Sequence, residues 1–438
     1  MKTKVKIICL LWVIYFVSGC GPLVPQTISI QATEISLPTD TPLGIQIPTQ
    51  TATSFPTQLP SMPFSIERLR MVYEKDGNIY LQDGMKVAQK LTFSGIDHEP
   101  ILSDDGDTIL FYRGNTNDTV YSIRADGTGE KLLVDTKTLR ELSQGEIKGI
   151  TFIPNSTNIL FNTYLCNEPL PGEYDPAECV VGLFLIDTLT GELHRVVTGL
   201  SGNRLHDKNF AVSPDGNFLS VAASGHVDIY IASAGTYENI KRDAITYPRT
   251  LPVEYLATQY WLPDSSGFIS VIANSGYYGL LEKPDSFAVY RYTLADELTV
   301  LIPLNPIITG RQEPGLAWAI SPDRNWIYYS GRSSNFLGNL TTGNTREIDG
   351  HVDNVKWSPG SQYFMFLREM YSVDGSEIPV NNVDDLITWL DATHYVYNEV
   401  DLSSGTAHYF IGTIGGESIP LPDTFDLWRS SKFVIFDP

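Results

Sequence analysis

One short pattern recurs eight times between Leu102 and Phe436, and it leaves this chain few folds to choose from. An apolar anchor is followed by a turn of Pro, Asp, Ser, Asn or Gly and then by an apolar, β-branched or aromatic run too short for a helix. The copies are LSDDGDTILF from Leu102, FIPNSTNILF from Phe152, VSPDGNFLSV from Val212, WLPDSSGFISV from Trp261, ISPDRNWIYY from Ile320, WSPGSQYFMF from Trp357, WLDATHYVY from Trp389 and WRSSKFVIF from Trp428. A second unit, two strands around a polar Gly-containing turn, follows most of them, as in VYSIRADGTGEKLL, LFLIDTLTGELHRVV and VDIYIASAGTYENI. Each unit has the grammar of a hairpin, and two hairpins make the four-stranded antiparallel blade of a propeller. Residues 64–438 are therefore expected to form one all-β domain, a single β-propeller.

The ends of the repeat region predict how the ring closes. The eighth copy ends at Phe433–Phe436 without a second unit, whereas MVYEKDGNIYLQDGMKVAQKLTF, from Met71, is a second unit without a first. Pairing the N- and C-terminal strands completes one blade and removes the exposed sheet edges. Eight copies predict eight blades. Only 32 residues separate Trp357 from Trp389, which barely holds four strands, so seven blades with residues 355–400 merged is the alternative. The anchors Trp261, Trp357, Trp389 and Trp428 are read as packing between blades, not as a sugar-stacking platform.

The SPDG turn before an apolar strand, with YSIRADGTGEKLL after it, resembles the TolB-type propeller repeat, a WD-like unit with Pro-Asp in its turn. The resemblance covers most of residues 70–438 and implies the fold; such repeats serve many functions, so it implies no particular activity. The TolB protein places a small α/β domain before a six-bladed ring, and this chain has a Thr/Pro-rich segment there instead. The Tol partners are therefore not carried over.

Lys2, Lys4 and Lys6 precede an apolar run from Ile7 to Val17, too short to span a bilayer, and so residues 1–19 read as an export signal. Val17-Ser18-Gly19-Cys20 resembles the lipobox of bacterial lipoproteins, which implies cleavage before Cys20, a diacylglycerol thioether on its sulfur and a further acyl chain, such as palmitate, on the new amino terminus. Several acyl chains give stable attachment where one does not. Residues 20–63 are rich in Thr, Pro, Gln and Ser, carry only Glu34 and Asp40 as charges, and read as a disordered spacer. The expected location is the extracytoplasmic side of the cell membrane, with the membrane itself a partner through Cys20.

Loss of the three signal lysines takes the formal charge from −21 to −24. Nucleic acid and anionic lipid surfaces require clustered Lys and Arg, so nucleic acid is excluded as an expected partner. Outside the signal and its cleavage point the cysteines are Cys166 and Cys179, and an oxidising compartment would let them form a disulfide. It would close CNEPLPGEYDPAEC and stabilise the fold by about 3 kcal/mol on the chain-entropy model. The loop reads as a braced insertion; Glu168, Glu173, Asp175 and Glu178 as a ligand loop is the alternative.

No GxSxG elbow, HExxH or CxxC pattern or phosphate loop occurs, so no catalytic residue and no cofactor is expected. His98, His206 and His351 fall just before anchors, where one blade leads into the innermost strand of the next, with Asp97, Asp207, Arg311, Glu313 and Asp353 nearby. These connections lie at one mouth of a propeller's channel, where imidazole and carboxylate suit a metal or a cationic group; hydrogen bonding within each turn is the alternative. The expected function is a membrane-anchored module binding a protein, small-molecule or glycan ligand. The alternative is a glycan-acting hydrolase or lyase built on the propeller, which needs two carboxylates about 5 to 10 Å apart.

Overall fold

The computed structural model describes residues 64–142, 145–166, 179–202, 210–304, 318–348, 355–421 and 432–435, with gaps of at most eight residues inside these spans. Eight antiparallel sheets follow one another along the chain as the blades of a propeller. Blade 1 runs outward from Lys432–Ile435 through Leu69–Lys75 and Asn78–Asp83 to Gln89–Lys90. Blade 2 is Asp97–Leu102, Thr108–Arg113, Val120–Arg124 and Lys131–Val134; blade 3 is Glu146–Phe152, Ile159–Cys166, Cys179–Ile186 and Leu193–Gly202. Blade 4 is Phe210–Val212, Phe218–Ala223, His226–Ser233 and Thr236–Thr246; blade 5 is Gln259–Trp261, Gly267–Ala273, Phe287–Thr293 and Leu298–Leu304. Blade 6 is Trp318–Ile320, Trp326–Ser330, Asn335–Asn339 and Thr345–Ile348.

Blade 7 has three strands, Lys356–Trp357, Tyr363–Phe366 and Glu369–Ser372, and blade 8 has four, Asp385–Trp389, His394–Asp401, Thr406–Thr413 and Ile419–Pro420. The eight-blade expectation holds and the merged seven-blade alternative does not. The short interval is met by dropping the outermost strand of blade 7, whose place is marked by a single bridge between Tyr371 and Glu377. Closure is also as expected: Leu69 pairs with Ile435, Arg70 with Val434, Met71 with Phe433 and Val72 with Lys432, antiparallel. A six-residue helix, Thr136–Glu141, capped by the Asp135 carboxylate, links blades 2 and 3.

The apolar runs of the second strands are continuous because each blade is buried on both faces. Side chains alternate across the sheet, so Ile109 and Phe111 meet Val72, Ile79 and Leu81 of blade 1, while Leu110 and Tyr112 meet Ile159 and Phe161 of blade 3. The same division repeats around the ring, ending where Val396 and Ile411 of blade 8 pack on Leu69, Met71 and Tyr73 of blade 1. Each fully buried side chain of this size contributes about 1.5–3 kcal/mol, and the core is therefore a series of interfaces between blades.

Trp261 and Trp389 are buried within it, and the indoles add a polar tie. Trp261 Nε1 donates to the Ala211 carbonyl, Trp357 Nε1 to that of Ala319 and Trp389 Nε1 to that of Lys356, each on the innermost strand of the preceding blade. These tryptophans are interblade packing, as expected; Trp428 lies outside the described residues.

The Pro-Asp turns explain the repeat chemically. Ser213 Oγ donates to Asp215 Oδ1 at 2.5 Å, Asp215 accepts from the Asn217 N–H, and Ser213 Oγ accepts from the Phe218 N–H. Ser103 with Asp105 and Ser321 with Asp323 repeat this. Gly216 closes its turn at φ +74°, and a Cβ there would stand 2.8 Å from the Pro154 carbonyl oxygen, so the position requires glycine on both counts.

Candidate functional site

In an antiparallel four-stranded blade, the connection into the innermost strand and the turn between the second and third strands share one face. The Pro-Asp turns share the other. Of the expected channel-mouth residues, Asp97 and His98 are described; His206, Asp207, Arg311, Glu313, His351 and Asp353 lie outside the described residues, as does Cys20.

Asp97 and His98 belong to the innermost strand of blade 2 itself, where they pair with Arg113 and Tyr112. The strand starts earlier than the repeat indicates because a bulge between His98 and Ile101, with Glu99 at φ +50°, lets pairing resume beyond the irregularity. Asp97 has no exposed side-chain surface and is held by a two-pronged ion pair, Arg113 Nε to Oδ1 at 2.6 Å and Nη2 to Oδ2 at 3.2 Å. Arg113 also pairs with Glu130 and lies over the Tyr121 ring. The hydrogen bonds that Arg113 donates to Asp97 raise its pKa further above the ordinary value, against the opposing effect of burial. With both oxygens engaged by Arg113, the Asp97 charge is compensated within the blade.

His98 is different. Its ring stacks on Tyr112 with centroids 5.7 Å apart, its Nδ1 lies 4.0 Å from Glu99 Oε1, and its Nε2 is buried without a hydrogen-bond partner. Burial, with the Glu99 charge adding to it, pushes the Tyr112 phenol up and keeps it neutral.

A second group on the same face was not expected. His226 and Asp228 open the third strand of blade 4, and Asp243 stands near the end of the fourth. The register jumps from Val227–Ile245 to Ile229–Lys241, so Arg242, Asp243 and Ala244 oppose Asp228 alone. The bulge places Asp243 at φ +50°, and its N–H donates to Asp228 Oδ1 at 2.9 Å. His226 lies between the carboxylates, Nε2 at 3.9 Å from Asp228 and Nδ1 at 3.9 Å from Asp243. Among the described residues this is the one group of three potential ligands whose donor atoms all fall within 4.8 Å of one another. His-Val-Asp at a strand start is a readable signal, since residues i and i+2 share a face. Asp243 had no such signal because its approach depends on the bulge.

The backbone register sets Cys179 directly opposite Cys166, at the ends of the two central strands of blade 3. The carboxylates of the connecting loop, Glu168, Glu173, Asp175 and Glu178, lie outside the described residues.

No protein-family model and no curated protein matches this chain. Solved structures do resemble it. A eukaryotic initiation factor aligns at 11% identity and a TM-score of 0.48, over 83% of this chain and 98% of the other. The acylaminoacyl peptidase of Pyrococcus horikoshii aligns at 14% identity and a TM-score of 0.38, and dipeptidyl peptidase 4 of Porphyromonas gingivalis at 10% and 0.43. They cover 82% and 78% of this chain, which spans about half the length of each peptidase, 51% and 54%.

Proposed function

We propose that this chain is an extracytoplasmic lipoprotein with TolB-type repeats, anchored through Cys20 and spaced from the membrane by residues 20–63, whose propeller binds a protein, small-molecule or glycan ligand. The ligand engages the face that carries the blade-to-blade connections. The observation that carries this reading is His98: a buried imidazole nitrogen without a partner costs about 1–3 kcal/mol, and here it stands at the start of an innermost strand. A ligand that draws the part-exposed ring outward and hydrogen-bonds that nitrogen would recover the cost.

The anchor is supported by the Val17–Cys20 pattern behind a basic and then apolar segment. Among the described residues no helix is long and apolar enough to cross a membrane. The facing positions of Cys166 and Cys179 support the disulfide that an oxidising compartment would permit.

Labelling cells with an alkyne-bearing palmitate tests the anchor: the protein takes up label and pellets with membranes, and Cys20→Ala loses both. Label retained by Cys20→Ala overturns it. The ligand face is tested by placing a benzophenone side chain at exposed Phe93, in the connection leading to Asp97. Irradiation in the native envelope should give a discrete adduct that His98→Ala diminishes, and an adduct indifferent to His98→Ala removes this face from the reading.

A further inference from the structure

We propose that His226, Asp228 and Asp243 form a divalent-cation site, with Zn2+ the preferred occupant, tying the third strand of blade 4 to the fourth. The charge balance points this way. Asp228 is 8% exposed, yet among the described residues no Lys or Arg nitrogen lies within 4.0 Å of it or of Asp243. Two carboxylates, one of them buried, thus face each other with only an imidazole between them, and a buried carboxylate without a cationic partner is costly. A bound cation supplies the missing charge.

The donor set selects the ion. One imidazole nitrogen and two carboxylate oxygens suit a borderline metal, whereas Ca2+ and Mg2+ prefer oxygen alone. With bonds of about 2.0–2.1 Å in a tetrahedral arrangement, donor atoms stand about 3.3 Å apart. One ring nitrogen of His226 serves as ligand, and the three donor atoms, all within 4.8 Å of one another, must close to that distance by relative movements of at most about 1.5 Å, within the reach of side-chain torsions. Three protein ligands leave the fourth position to water or to a ligand atom. Asp243 already donates its N–H to Asp228, so the second carboxylate is oriented by the backbone of the third ligand.

The test is titration calorimetry of Zn2+, Mn2+ and Ca2+ into chelator-treated, untagged full-length protein. One equivalent of Zn2+ should bind, more tightly than Mn2+ and much more tightly than Ca2+. His226→Ala and Asp243→Asn should each weaken Zn2+ about tenfold or more, and Co2+ should show visible bands that both variants lose. Asp243→Asn keeps the exposed side chain's shape and the backbone N–H, so it decides the matter if His226→Ala fails to fold. Absence of Zn2+ binding, affinity unchanged in Asp243→Asn, or Ca2+ as the tightest ion would overturn the proposal.

Discussion

Blades 2 and 4 use the same backbone device on the same face and arrive at opposite electrostatic ends. Each has a bulge, a histidine beside an aspartate, and an acidic residue at φ +50°, Glu99 in one and Asp243 in the other. In blade 2 the buried Asp97 meets Arg113 and its charge is compensated. In blade 4 the buried Asp228 meets a backbone N–H and the edge of a histidine. The bulge re-aims side chains in both, but the neighbouring cation decides whether a carboxylate is structural or open to a ligand.

The largest effect should come from removing that cation. Arg113→Ala leaves Asp97 buried and unpaired, and should lower stability by about 3–5 kcal/mol in urea unfolding; Asp97→Asn in the same background should recover part of it. A loss below about 1 kcal/mol would erase the distinction between the blades. Next, Zn2+ at about a hundred times its Kd should stabilise the wild type by about 2.7 kcal/mol, seen as a raised Tm. Arg113→Ala should keep that increment, since the proposed cation site lies in blade 4, and Asp243→Asn should lose it.

A smaller loss, about 1–2 kcal/mol, is expected for Trp261→Phe, which removes the indole donor to the Ala211 carbonyl and Ser220 Oγ. It should loosen the boundary between blades 4 and 5, read as faster amide exchange there, while blade 2 exchanges as before. The smallest effect tests what the two blades share on the opposite face. The Ser103 hydroxyl and the Asp107 N–H hold Asp105 below the usual carboxylate range; burial would push Asp215 up, but hydrogen bonds from Ser213 and Asn217 outweigh it. A carboxylate whose folded pKa lies below its unfolded value of about 3.9 contributes stability above that pH, and the contribution is lost as pH falls toward the folded value. Stability should therefore decline below about pH 4, less steeply in Ser103→Ala and Ser213→Ala, with equal changes in the two blades. Acid unfolding midpoints measure this.

Much of the fold was legible because its determinants are local. The Ser-Pro-Asp-Gly turn carries its own hydrogen bonds, and the run Ile109 to Tyr112 reports burial on both faces. The 32-residue interval at Trp357 announced an irregular blade, though not which strand would be missing. The site was less legible. The ion pair of Asp97 was hidden because Arg113, sixteen positions on, meets it only through cross-strand register. Asp243 carried no signal because three residues had to be accommodated opposite one before it could reach His226. Register is a property of two strands, and a bulge in it has no marker in either strand alone.

The pairing of Leu69–Val72 with Lys432–Ile435 alters how the molecule comes apart. A linear stack of repeats frays from its ends, since a terminal unit gives up one neighbour. In a closed ring every blade has two neighbours, and releasing any of them, including the three-stranded blade 7, breaks two interfaces at once. Partial unfolding therefore has no inexpensive starting point, and the ring should open as one cooperative event with a slow unfolding rate. On the extracytoplasmic location proposed above, that is a useful property for a domain beyond the reach of cytoplasmic chaperones.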